Sequence, residues 1–170
     1  MSGSVVVDFL SELPAQKFHV FTDNLFTSLA LMSELRVLGM HGTGTTRAHC
    51  TAKCPLTLPQ AIKQQPRGTM DCQLETTSNT VIVRWNDNKV VTVASTGYGV
   101  QPLQKAKRWS REKKQFITIP MPNAVAQYNV NMGGIDHMDQ NLGAYRPTIR
   151  IKKWWWPIFR FAIGTAAKNA

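Results

Sequence analysis

A mixed α/β fold is what the sequence predicts, and three observations carry that prediction. The first fifty residues alternate between helical and strand periodicity, the middle of the chain reads as a β meander, and the last stretch is an amphipathic helix. Hydrophobic residues make up 43% of the 170, enough to bury one ordinary core.

Each element follows from its own pattern. Val6, Phe9, Leu10 and Leu13 recur at helical spacing until Pro14 stops the segment. Phe18-His19-Val20-Phe21 is a compact β-prone run, so Asp23 sits at or just beyond the carboxyl end of a buried strand, where α/β sheets place ligands. Over residues 28–38, Leu31, Leu35 and Leu38 line one helical ridge and Leu25, Leu29 and Met32 its neighbour. Asn24, Thr27 and Ser28 are all credible caps, and Gly39 supplies the stop. Residues 40–47 read as the next strand, and the prolines at 55, 59 and 66 mark an irregular linker over 53–66. Residues 70–76, 80–85 and 89–95 form the meander, the last two runs joined across Asn86-Asp87-Asn88. A short strand over 117–119 precedes a helix from Pro122-Asn123 through Tyr128; Gly133-Gly134 interrupts it, and helix resumes over 136–144 until Pro147. From Trp154 onward, Trp155, Phe159, Ala162 and Ala166 give a final helix its apolar face.

Twenty Lys and Arg against ten Asp and Glu give a formal net charge of +10. That balance suits a polyanion binder, with nucleic acid the leading partner, or serves solubility alone. Three cysteines, Cys50, Cys54 and Cys72, without a secretory signal argue for reduced thiols rather than a disulfide framework. The most apolar run, from Trp154 to Ile163, is broken by Pro157 and Arg160 and falls short of a membrane span, so no membrane partner is expected. His41, His49, Cys50 and Cys54 lie close in sequence, but an adjacent His-Cys pair and a three-residue gap match no common structural zinc site.

Two stretches carry chemistry: Phe21-Thr22-Asp23-Asn24-Leu25-Phe26-Thr27-Ser28 and Tyr128-Asn129-Val130-Asn131-Met132-Gly133-Gly134-Ile135-Asp136-His137-Met138-Asp139-Gln140. On a helix, acids three apart share a face and come within reach of a common cation, and crowded carboxylates raise one another's pKa unless a divalent ion neutralises them. Phosphoryl-transfer enzymes exploit such groups with two metal ions about 4 Å apart. Gly133-Gly134 would let the backbone turn sharply before the ligand.

Both stretches resemble the piggyBac transposase family. Supporting matches are Tyr145-Arg146, Arg150 and Lys152-Lys153-Trp154-Trp155 after the second motif, and Trp85-Asn86-Asp87-Asn88-Lys89 between the two. The resemblance implies a partial RNase H-like (DDE transposase) fold with a small β-rich insertion and a C-terminal helix. Its parts would be 1–58 as the first part of the catalytic core, 59–120 as the insertion, 121–144 as the return of the core, and 145–170 as the start of a helical dimerisation and DNA-binding region. It also implies that Asp23 and Asp136 are catalytic metal ligands for Mg²⁺ or Mn²⁺, with Asp139 the additional acid. In an intact member a DNA strand is cut at a transposon end, the freed 3′ hydroxyl attacks the opposite strand, and the element joins target DNA at TTAA.

The family's first catalytic Asp, on an upstream strand, has no counterpart here, and Asp8 lies in a helical segment instead. No independent catalysis is therefore expected from this chain. Among the basic residues, Lys105, Lys107, Arg108, Arg111, Lys113 and Lys114 with Trp109 could neutralise phosphates, act as a nuclear-localisation patch or form a solvated loop. Arg146, Arg150, Lys152 and Lys153 would lie beside bound DNA because they follow the second motif directly. The expected setting is the nucleus, with DNA as partner and a homodimer or a full-length relative as a further one. The alternative is a non-catalytic, domesticated DNA-binding or transposase-interacting module.

Overall fold

The structure, a computed structural model, describes residues 2–14, 16–47, 54–145 and 152–169. They form two compact units, residues 1–130 and 131–170. The first unit is built on α1 (Ser2–Ser11), β1 (His19–Thr22), α2 (Leu29–Val37) and β2 (His41–Thr45), the alternation read from the periodicities. It continues with α3 (Pro59–Lys63), β3 (Met70–Glu75), β4 (Thr80–Asn86), β5 (Val90–Ser95), β6 (Gln104–Ser110), β7 (Gln115–Met121) and α4 (Asn123–Asn131). The second unit holds α5 (Gly134–Tyr145) and α6 (Trp156–Asn169).

Five strands make one sheet in the order β1-β2-β5-β4-β3. β1 runs parallel to β2 with Thr22 opposite Gly44, whereas β2 runs antiparallel to β5 with Gly44 opposite Ala94. The meander is thus a continuation of the sheet that β1 and β2 begin. Period-two alternation sorts its side chains. Val20, Ile82 and Ala94 face α1, α2 and the segment around Leu56: Val20 packs with Leu10, Leu31 and Leu35 in one apolar cluster, and Ile82 and Ala94 pack with Leu56 and Leu29 in another. Trp85 and Val93 face the other way, into a cluster with Ala106, Ile119, Ala124 and Val125 from the β6–β7 hairpin and α4.

Gly42 lets α2 sit close to the sheet, and Gly44 leaves room for Thr22 and Thr27. A Cβ on Gly42 would fall 2.6 Å from Met32 Sδ and 2.7 Å from Leu35 Cδ1, and one on Gly44 would fall 2.7 Å from the Thr22 carbonyl oxygen. Ser28 caps α2, its hydroxyl accepting from Leu31 N–H at 3.1 Å. At the other end Arg36 donates to Ser78 O at 3.0 Å and ties the helix to the β3–β4 turn. Leu31, Met32 and Leu35 are the residues of α2 that reach the core; Leu25 and Leu38, placed on the same ridges by spacing, are half exposed, because Leu25 lies in the turn before the helix begins and Leu38 is its C-cap.

Two expectations are corrected. The proline-rich stretch contains the one-turn α3, with Pro59 at its first position, where proline's missing N–H has no intrahelical partner to lose. Only part of the basic run is a loop: residues 104–110 pair with 115–121 along their whole length, from Gln104 opposite Met121 to Ser110 opposite Gln115, and 111–114 form the exposed turn between them. The remaining expected strands and helices are present, shifted by up to three residues at their ends. No helix among the described residues is long and apolar enough to cross a membrane, and Cys54 and Cys72 are free thiols.

His19 on β1 lies between Phe21 and Tyr98, with ring centroids 4.6 Å away on both sides, and its Nε2 is 2.8 Å from Thr43 Oγ1. Burial, with His41 beside it, lowers its pKa. A histidine more easily protonated unfolded than folded gives stability that is present above its unfolded pKa, about 6.5, and fades as pH falls below it. Chemical denaturation of the wild type should therefore show stability declining from pH 7 to pH 5, and His19→Gln should flatten that decline; parallel pH profiles for the two proteins would refute the assignment.

Candidate functional site

Asp23 follows β1 directly, at its carboxyl end as the strand pattern requires. Thr22 and Thr27, both buried, close the turn beneath it. The Thr27 hydroxyl donates to Asp23 O at 2.6 Å, so the 2.8 Å contact between the two threonine hydroxyls uses the Thr22 proton. Thr27 N–H also donates to Asp23 O, at 3.1 Å. With its carbonyl held twice, the Asp23 main chain is fixed, and its half-buried side chain turns back to accept from Leu25 N–H at 2.9 Å through Oδ1. Oδ2 takes no hydrogen bond from a described residue. Thr27, one of three credible caps in sequence, therefore clasps the strand end, and Ser28 does the capping.

The parallel register ends with Thr22 opposite Gly44, and Asp23 and Thr45 are the residues that follow that last pair. Thr45 Oγ1 shares a 3.3 Å hydrogen bond with the hydroxyl of Tyr128 on α4. This contact ties the end of β2 to the helix that leads into the second motif, and sequence spacing gave no sign of it.

In the second unit, α4 has ended and α5 begins at Gly134, with His137 N–H donating to Gly133 O at 2.9 Å. Asp136 lies in the first turn of α5 and is exposed, as is His137. An acid in a first helical turn is favoured by the positive end of the helix dipole. Asp139 belongs to the same helix, but its side chain is outside the described residues. Among the described residues no three of His, Cys, Asp and Glu gather into a metal-binding group. Arg146 and Arg150, and His49 and Cys50 of the rejected zinc set, are also outside them; Lys152 and Lys153 are described and exposed.

The β6–β7 hairpin divides its cations between two faces. Arg108 points inward: its Nε is 2.8 Å from Asp87 Oδ2, and its guanidinium lies 5.9 Å from the Trp85 ring centroid. Arg67 takes the other oxygen of Asp87 at 2.5 Å. Burial raises the pKa of Asp87, but the hydrogen bonds and charges of the two arginines outweigh it and hold the carboxyl below its ordinary value. Arg108 is thus an anchor of the hairpin, sharing one carboxylate with Arg67, while its side chain stays 31% exposed. Lys105, Lys107, Arg111, Lys113 and Lys114 are exposed. Trp109 and Phe116, directly opposed across the strands, meet edge to face at 5.2 Å. The Phe116 contact was legible in principle, since alternation over residues 115–121 calls for a partner strand across the polar residues 111–114.

Comparison with known proteins gives a consistent picture. A family profile described as Transposase IS4 matches residues 1–170. The chain is 38% identical over 173 residues to the human PiggyBac transposable element-derived protein 3, covering 100% of this chain and 29% of that protein. To the human PiggyBac transposable element-derived protein 2 it is 35% identical over 173 residues, again covering 100% of this chain and 29% of that protein. Its fold is similar to that of a chain in a cryo-EM structure of a piggyBac transposase synaptic complex with hairpin DNA, with a TM-score of 0.70 at 19% identity over 99% of this chain and 33% of the other. The chain spans less than a third of the length of those human proteins.

The threonine clasp is testable by itself. Thr27→Val keeps the shape and removes the hydroxyl, leaving Asp23 O one donor short and Thr22 without its acceptor, a loss of about 1–3 kcal/mol. Thr27→Ser should recover most of it. Urea denaturation checks both, and a Thr27→Val protein as stable as the wild type would show that the clasp contributes nothing.

Proposed function

The chain belongs to the piggyBac-type family of transposases, and from that premise we propose that it carries part of a DDE/D site for metal-dependent DNA strand cleavage and transfer. In this reading Asp23 and Asp136 are ligands for Mg²⁺ or Mn²⁺ and Asp139 supports them. The observation that carries the proposal is the clasped strand end: Thr27 fixes the Asp23 main chain just beyond the carboxyl end of β1, where the family motif has its acid. The donor chemistry fits, because carboxylate oxygens are the hard ligands Mg²⁺ prefers and Asp23 keeps one oxygen clear of hydrogen bonds from described residues. Divalent ions at such a site supply charge stabilisation for the attacking and leaving oxygens of phosphoryl transfer.

The chain's own residues have separate tasks. The clasp of Thr22 and Thr27 holds the Asp23 main chain so that its carboxylate need not be ordered at the moment of reaction. Lys105, Lys107, Arg111, Lys113 and Lys114, with Arg146, Arg150, Lys152 and Lys153, neutralise DNA phosphates, including those of transposon ends and a TTAA target. The work is nuclear, and a homodimer or a full-length relative is the further partner. A second reading, a non-catalytic DNA-binding or transposase-interacting module, is favoured by the exposed hairpin cations, which need neither carboxylate to bind DNA.

Iron-catalysed backbone cleavage tests the shared ion. With Fe²⁺ in place of Mg²⁺, hydroxyl radicals should cut the chain near residue 23 and again near residue 136, and Asp136→Ala should abolish both cuts. Scission near one position only, or scission at residue 23 that survives Asp136→Ala, would sink the common site. Nicking of supercoiled plasmid by the isolated chain with Mg²⁺ should be undetectable; robust nicking would show that its acids suffice.

A further inference from the structure

The outer face of the β6–β7 hairpin combines features that the catalytic reading does not use. Alternation places Lys105, Lys107 and Trp109 on one side of β6, opposite Pro120, Thr118 and Phe116 of β7. Trp109 is 50% exposed and Phe116 70% exposed, although burial would be the favourable state for both rings. The inward face holds Ala106 and Ile119 in the core and Arg108 on Asp87, so the hairpin is anchored without help from the outer rings. At the tip, Arg111, Lys113 and Lys114 are opposed by Glu112 alone, and Lys114 takes a positive φ of 46° that turns the chain back into β7. Beside the tip lies a cleft of about 810 Å³ lined by Arg67, Arg108, Trp109, Arg111 and Lys113 among others.

We propose that this face is a stacking platform for unpaired bases of DNA, with Trp109 and Phe116 receiving the bases and Lys105, Lys107, Arg111, Lys113 and Lys114 the phosphates. The inference rests on the reading above that the chain engages DNA, and it names the form of DNA. Cations alone would serve any duplex. Exposed aromatic faces add something only where bases present their own faces, which a duplex hides in its stack and a single strand or an opened end displays. The anchored inner face is the second half of the case: a rigid two-stranded support holds the rings ready, so little side-chain freedom is lost on binding. The charge of the surround, five cations to one acid, selects a polyanion over an apolar protein partner.

The test uses the whole 170-residue chain and oligonucleotides of about twenty nucleotides, a length that exceeds the site of one small binding fold. By fluorescence anisotropy at matched salt, an oligothymidine should bind more tightly than a blunt duplex. Trp109→Ala and Phe116→Ala should each weaken single-strand binding roughly tenfold and leave duplex binding within about twofold, the effect expected of a lost stacking contact; Trp109→Phe should retain most of the affinity. Thermal melts report whether the variants fold. A wild-type measurement stands independently of them: an oligonucleotide carrying 5-bromouracil should photo-crosslink to the peptide holding Trp109 or to that holding Phe116. Equal affinity for both DNA forms, unmoved by Trp109→Ala, overturns the platform and leaves the DNA reading intact. Crosslinks that map elsewhere overturn it too. If neither DNA form binds, the DNA reading fails as well, and binding to anionic phospholipid vesicles instead would assign the face to a lipid surface.

Discussion

The backbone hydrogen bonds of β2 join it to β1 in parallel on one side and to β5 in antiparallel on the other, and this double pairing makes one sheet of two unlike halves. The sequence His41-Gly42-Thr43-Gly44-Thr45 is built for that position. Its glycines leave room for α2 and for the Thr22–Thr27 clasp on one face, while Thr43, fully buried, passes hydrogen bonds from His19 to Ser95 on the other. With either glycine enlarged, helix or strand end would have to retreat. Asp23 is therefore positioned less by its own contacts than by the bare backbone of the neighbouring strand.

A similar division holds for the hairpin. The segment Trp85-Asn86-Asp87 touches no reacting group, yet each member holds the basic ribbon or the loop beside it. The Trp85 indole N–H donates to Pro120 O at 2.9 Å, the Asn86 side-chain amide to Gln65 O at 2.7 Å, and Asp87 gathers Arg67 and Arg108. A segment that resembles the family pattern between the two acid motifs is in this way a mount for a charged surface. The two arginines that pair with Asp87 are half-buried and held in place, and the exposed cations of the ribbon are displayed.

Much of this was legible in the residues. The alternation of helix and strand, the caps and the meander follow from local periodicity, which acts over a few residues and is written in them. The strand end at Asp23 was legible for the same reason. What escaped was non-local. Whether Thr27 or Ser28 caps α2 depends on Gly44, seventeen residues beyond Thr27. Arg108 reads as one more surface cation until Asp87 is brought to it from the β4–β5 turn. The basic run hid its strand because Ala106 is the one buried apolar side chain of β6, too weak an alternation to set against so many charges. Tyr128 meeting Thr45 spans more than half the first unit and leaves no mark in either local sequence.

The tip of the basic ribbon has a practical corollary. Arg111, Lys113 and Lys114 put three of four consecutive turn residues within the cleavage preference of trypsin, on an exposed loop between strands. Such protruding turns are where limited digestion begins in a folded protein. A single nick there would leave both halves joined through the seven cross-strand pairs and the buried Ala106–Ile119 contact, so the cut molecule should keep its mass in solution while running as two pieces under denaturing conditions. The rate of that one scission then serves as a gauge of whatever occupies the ribbon.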